Sequence, residues 1–224
     1  PAGPSKLDVL AKDTLTAVLD ILQEEPDAKV LVLNCASEAR PGGRVRAGAG
    51  GQEEELFRRT DYIHRVNEKQ YPIPPEDFIV TENVHIIQDE DYDKIPEPPA
   101  VDFIAMPALR HPVLQYGKYK KEDYESMTRR VDLILRYGAL EEYTHLVLGA
   151  LGCGAFKNPS SKVAGIFKTL LAAHGHFFQY VVFAITDGKK GHNYRDFKRV
   201  LLEDDAEGSD SEGEGDDEED GEED

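Results

Sequence analysis

Glu53, Glu54 and Glu55 follow directly on a glycine-rich stretch, PGGRVRAGAGG from Pro41 to Gly51, with Gln52 between. Carboxylates are side chains of general acid and base work. Glycines remove side chains, so backbone N–H groups can approach an anion and φ can turn positive where a concave nest needs it. The stretch therefore offers anion binding beside groups able to move a proton. A structural reading stands next to it: three acids opening a helix are stabilised by its dipole, by about 0.3–1 kcal/mol each.

Two elements must position these groups. The apolar run from Val30 to Leu33, closing on Asn34, is short and β-branched, and Pro26 and Asp27 precede it as turn signals, so it reads as a buried strand. Behind the loop, Gln52 opens a helix whose apolar positions Leu56 and Ile63 lie seven apart, with Arg58 and Arg59 between them. A second glycine loop sits in LVLGALGCGAFKNP, Leu146 to Pro159, again between an apolar run and a helix start at Pro159 and Ser160. Gly149, Gly152 and Gly154 lack the dinucleotide-binding spacing and fit a packing turn as well as a ligand loop. Two glycine loops at strand ends could flank one crevice, where open α/β sheets place ligands, and such a pair suits a diphosphate.

The rest of the chain alternates. Leu7, Val9 and Leu10 suggest a first strand, and Thr14 to Gln23 carries Leu15, Val18, Leu19 and Leu22 at helical spacing behind Asp13 as N-cap. Phe78 to Val80 and His85 to Ile87 read as two short strands, and Gln88 to Pro99 as a surface loop. Val101 to Met106, His145 to Leu148 and Tyr180 to Ile185 read as core strands. The helices between them turn Met127, Val131, Ile134 and Leu135, then Val163, Ile166, Phe167, Leu170 and Leu171, inward. The expectation is an α/β sandwich with helices on both faces of a mostly parallel sheet.

The 224 residues divide into a folded part, 6–202, and an acidic tail, 203–224. The tail carries 15 acidic residues and no Lys or Arg, so it cannot bury enough apolar surface to order itself. Removing those charges from the net of −18 leaves −3 for residues 1–202. Ser209 and Ser211 there suit an acid-directed kinase, or belong to a plain solubilising end. Cys35 and Cys153 suggest neither disulfide nor zinc, and the seven histidines show no metal spacing. No run approaches the roughly 18 apolar residues of a membrane span, and nothing reads as a secretory signal, so a cytoplasmic or nuclear location is expected.

Read together, Pro41, Gly42, Gly43, Gly48, Ala49, Gln52, Glu53, Glu54, Leu56, Arg58 and Thr60 spell a motif that resembles the signature of the bacterial-type poly(ADP-ribose) glycohydrolases of the macrodomain superfamily. Arg44 stands where that signature has a third glycine. Gly152, Gly154, Ala155 and Phe156 match the family's loop around the ADP-ribose diphosphate, with the aromatic against the terminal ribose. The resemblance implies a macrodomain-like three-layer α/β/α sandwich with a mixed, mostly parallel sheet. It places Asp13 at the adenine amino group, where the N-cap reading is equally good. It places Asn34 and Ser37 near the distal ribose, and Asp187 and Asn193 at the nucleoside end, where a capped turn is the alternative.

The implied activity is hydrolysis of the ribose–ribose O-glycosidic bond, with no metal or cofactor. Such a bond breaks through an oxocarbenium-like transition state and needs an acid to protonate the departing oxygen, then a base to activate water. By position in the motif Glu54 takes both roles, Glu53 holds ribose hydroxyls, Gln52 braces the loop, Phe156 presses the ribose toward Glu54, and the amides at Gly42, Gly43 and Gly152 to Phe156 fix the diphosphate. The partners implied are poly(ADP-ribose) or ADP-ribosylated protein, with ADP-ribose as product and nucleic acid only when itself ADP-ribosylated; a monomer is expected. The alternatives are a hydrolase of mono-ADP-ribose on protein or nucleic acid, a non-catalytic ADP-ribose-binding macrodomain, and an acidic interaction protein with structural glycine loops.

Overall fold

The computed structural model describes residues 3–187 and 191–203; the acidic tail beyond them, with Ser209 and Ser211, lies outside the described residues. Six strands form one sheet: β1 (Lys6–Leu10), β2 (Val30–Ala36), β3 (Ile79–His85), β4 (Ala100–Pro107), β5 (His145–Leu148) and β6 (Tyr180–Ala184). Their order is β1-β6-β5-β2-β4-β3, and every pair is parallel except β3 with β4.

The pleat of β2 shows how the layers arise. Leu31 and Leu33 face one way, into a core completed by Met127, Val131, Phe167 and Phe197 of α4 (Lys121–Leu140), α5 (Ser160–His174) and α6 (Asn193–Leu202). Val30 and Val32 face the other way, against Leu15, Val18, Leu56 and Tyr62 of α1 (Thr14–Glu24), α2 (Gln52–Arg59) and α3 (Tyr62–Arg65). The result is the three-layer α/β/α sandwich, with a mixed, mostly parallel sheet. Its parallel strands end at one edge, where both glycine loops emerge.

Three expectations need correction. The runs Phe78 to Val80 and His85 to Ile87 are joined by one strand, β3, which takes in Ile79 to His85 and shifts register between Thr81 and Val84. Glu82 and Asn83 bulge outward there, Asn83 at φ 56° with its N–H donating to Asp102 Oδ1 at 2.8 Å, and so interrupt the apolar alternation. The helix from Gln52 does not reach Ile63: Thr60 turns extended at φ −132°, its hydroxyl donates to the Leu56 carbonyl at 2.6 Å, and α3 starts afresh. Lastly, α6 follows the last strand where only a capped turn was expected; it packs Tyr194, Phe197, Val200 and Leu201 on the core.

Candidate active site

Pairing between β2 and β5 ends at Val32 and Val147, leaving the next β2 backbone groups on that side unpaired by strand. The Gln52 amide takes their place: its nitrogen donates to the Leu33 carbonyl at 2.7 Å and to Thr14 Oγ1 at 3.1 Å, and its oxygen accepts from the Cys35 N–H at 2.9 Å. The first residue of α2 is thereby fixed to the sheet edge, which sets where Glu53 and Glu54 stand.

Both carboxylates are held by backbone donors. Buried Glu53 accepts from the N–H of Ser37 at 2.7 Å and of Gly42 at 3.2 Å. Half-buried Glu54 accepts from the N–H of Arg44 at 3.0 Å and of Gly51, the N-cap, at 3.1 Å. Gly43, at φ 54°, lies between them: a Cβ there would stand 2.7 Å from Glu54 Oε1 and 2.8 Å from Glu53 Oε2. Burial pushes the Glu53 carboxyl up to about 7, the neighbouring Glu54 charge adds to this, and the Ser37 and Gly42 amides oppose it. Glu55 also borders the cavity, but its carboxylate is taken up by Arg58 and by the Tyr92 hydroxyl at 2.7 Å.

The second loop is stapled from behind. Asn158 donates to the carbonyls of Leu109 at 2.7 Å and Gly152 at 3.0 Å, and accepts from the Tyr119 hydroxyl at 2.8 Å. Gly152 sits at φ 72°, where a Cβ would come within 2.4 Å of the Ala108 side chain. Among the described residues the N–H groups of Gly154, Ala155 and Phe156 have no acceptor. A cavity of about 660 Å³ opens between the loops, lined by Gly43, Glu53 and Glu54 on one side and by Gly152, Gly154, Ala155 and Phe156 on the other. That volume lies within the range of about 300–1,000 Å³ usual for small-molecule sites.

The catalytic-domain family of microbial-type PARG, the poly(ADP-ribose) glycohydrolases, matches residues 1–77, which include the first loop and α2. Among solved structures, the PARG of Deinococcus radiodurans in complex with ADP-ribose is 27% identical, covers 89% of this chain and 85% of its own, and superposes with a TM-score of 0.77. The PARG of Thermomonospora curvata bound to the inhibitor ADP-HPD is 28% identical over 87% of this chain and 78% of its own, with a TM-score of 0.74. No curated protein matches in sequence. The resemblance to microbial-type PARG holds. The fold is the macrodomain-like one of these glycohydrolases, and the comparison reaches most of the chain.

Of the residues the PARG motifs nominate, Asp13, Ser37, Gly43, Gln52, Glu53, Glu54, Gly152, Gly154, Ala155, Phe156 and Asn193 reach the cavity wall. Asn34, Gly42 and Asp187 do not. Asn34 is fully buried with its amide against the Glu53 carboxyl and the Tyr62 hydroxyl, where it favours the charged form of Glu53. Gly42 spends its N–H on Glu53 and packs on the Phe57 ring, so the diphosphate amides expected of both loops are free only in the second. Asp187 accepts from the N–H of Asn193 at 3.1 Å and of Tyr194 at 2.8 Å, which makes it the cap of α6. Asp13 does both things: it caps α1 and stands on the cavity wall, paired to buried Arg59 at 2.8 Å.

Sequence reading missed Arg110 and His111 after β4, and Ile185 and Thr186 after β6, all on the wall. The signal was present, since each pair follows the C-terminal end of a parallel strand. Among the described residues no three His, Cys, Asp or Glu side chains gather as a metal would need.

Proposed function

We propose that the chain is a poly(ADP-ribose) glycohydrolase that hydrolyses the ribose–ribose O-glycosidic bond and releases ADP-ribose. The observation that carries this reading is the pair Glu53 and Glu54, presented over the bare backbone of Gly43, across a cavity from three unpaired amides and an aromatic ring. The amides of Gly154, Ala155 and Phe156 hold the diphosphate, and the Phe156 ring packs on the terminal ribose. Positioning of this kind supplies much of the rate at little cost in reorganisation.

Glu54 gives its proton to the oxygen leaving the anomeric carbon as that bond breaks, and the positive charge on the sugar is spread as an oxocarbenium. The resulting carboxylate takes a proton from water as the water oxygen bonds to the same carbon, which restores Glu54 and completes hydrolysis. Its anchors, the Arg44 and Gly51 amides, serve both charge states by fixing the carboxyl's place. Glu53 orients the sugar through its hydroxyls.

Incubation with labelled polymer and with mono-ADP-ribosylated protein, with products resolved, tests this. ADP-ribose released from polymer supports it; release from the protein alone assigns mono-ADP-ribosyl hydrolysis, and binding of ADP-ribose without release from either makes the chain a reader.

A further inference from the structure

The chain has twelve arginines, and eight of them, at 58, 59, 65, 110, 129, 130, 136 and 199, pair with a carboxylate. Among the described residues, three of the four that do not stand in one short loop: Arg40, Arg44 and Arg46, all exposed. Residues 1–202 carry a net charge of −3, yet among the described residues these three guanidinium groups, within seven residues of one another, have no carboxylate in ion-pair reach.

Their backbone is firmly set. Overlapping turns bind Gly43 N to Arg40 O at 3.4 Å, Val45 N to Gly42 O at 2.9 Å, and Ala47 N and Ala49 N to Arg44 O at 2.9 and 3.3 Å. This loop is also the one that anchors Glu54, through the Arg44 N–H, and Arg44 itself lines the cavity.

We infer that Arg40, Arg44 and Arg46 form a phosphate-binding rim for the ADP-ribose unit on the leaving side of the scissile bond, and that this rim favours polymer over single ADP-ribose units carried on protein. The inference rests on the function proposed above and goes a step further into its substrate. Glu54 hands its proton to the leaving oxygen, so whatever that oxygen carries must pass over the loop that holds Glu54. In polymer it carries an adenosine diphosphate with two negative charges, and in mono-ADP-ribosylated protein an amino-acid side chain with none. Guanidinium groups meet phosphate oxygens with two parallel hydrogen bonds, which suits them to the first of these.

The test compares the full chain on long poly(ADP-ribose) and on an aryl O-glycoside of ADP-ribose, whose leaving group has no phosphate. The variant Arg40→Gln/Arg44→Gln/Arg46→Gln should lose roughly tenfold in kcat/KM on polymer, the order expected of three exposed charge contacts, mainly through KM and with a flatter salt dependence. The corresponding triple lysine variant, which keeps the charges but loses the paired hydrogen bonds, should fall between the wild type and the glutamine variant on polymer. Arg40→Gln/Arg46→Gln, which leaves the cavity wall intact, should keep aryl glycoside turnover within about twofold. Unchanged polymer kinetics in the triple glutamine variant would overturn the inference, as would parallel losses on both substrates in the double variant. A wild-type chain inactive on both substrates would instead bring down the proposed function, and this inference with it.

Discussion

Gly43 lies so close to Glu54 that a Cβ on it would stand 2.7 Å from the Glu54 carboxyl oxygen, nearer than any side chain tolerates. The bare backbone at this point is what lets Glu53 and Glu54 share one patch of cavity wall. Gly43→Ala should therefore displace the acid as well as strain the loop. At φ 54° the alanine costs about 1–2 kcal/mol in backbone conformation, a melting shift of several degrees at most. Turnover should fall further than that, by roughly tenfold or more for a displaced acid/base, and thermal melts beside polymer hydrolysis will show whether activity drops out of proportion to stability.

The three neighbouring acids separate by what already holds them. Glu54→Gln keeps the size and one of the two accepted N–H bonds but cannot cycle a proton, so turnover should fall by roughly 100-fold or more while ADP-ribose affinity changes little. Glu55→Gln leaves Tyr92 and Arg58 with a neutral partner in a half-exposed place and should be nearly silent, worth about 0–1 kcal/mol. Glu53→Gln cannot accept from both Ser37 and Gly42, because one amide would face its NH₂ group, so it should also lower stability, by about 1–3 kcal/mol. Equal, small effects at all three positions would return them to ordinary first-turn acids.

Much of this was legible because it depends on local pattern. The continuous apolar run from Val30 to Leu33 reads as a strand buried on both faces, and glycines at two strand ends point to the crevice. What was not legible depends on the third dimension. Asn34 looks like a strand-end contact, but β4 pairs with β2 as far as Ala36 and encloses the side chain beneath Glu53. Gly42 looks like a phosphate donor until the fold brings Glu53 to its N–H. The α6 helix does carry Tyr194, Phe197, Val200 and Leu201 at helical spacing against the core, but its start is fixed by Asp187 from outside the helix, five residues before its own N-cap, so no local start signal marks it.

The Glu53 carboxyl should titrate near 7, well above its ordinary 4.5, because burial opposes its charge. Between those values the folded chain binds a proton that the unfolded chain has lost, so this group's contribution to stability declines as pH rises through about 4.5 to 7 and levels off above. Carboxyl-carbon NMR of the glutamates should find the inflection. Glu54→Gln removes a neighbouring negative charge and should move it downward. An inflection at the usual carboxylate value in the wild type would mean that the Ser37 and Gly42 amides outweigh burial.

Asp13 serves three neighbours at once, and one substitution takes only one of them away. Its carboxylate accepts from the N–H groups of Leu15 at 2.9 Å and Thr16 at 3.2 Å, and pairs with Arg59, whose side chain is 3% exposed. Burial raises the Asp13 carboxyl, but the Thr16 hydroxyl and Arg59 outweigh it and hold the group below its ordinary value. The stability it supplies is thus present above the ordinary carboxylate value and lost as pH falls through the lowered one. Asp13→Asn keeps an N-cap as good as aspartate while leaving the buried Arg59 charge without its counter-ion. The loss should be about 2–4 kcal/mol, toward the lower end of a broken buried pair because Asp13 is itself partly exposed. Adding Arg59→Met should restore much of it, since the uncompensated charge goes too. Denaturant melts of the two single variants and the double variant measure that coupling. If ADP-ribose affinity stays low in the double variant while stability recovers, Asp13 contacts the ligand as well as capping its helix; if both recover together, its place on the cavity wall is structural.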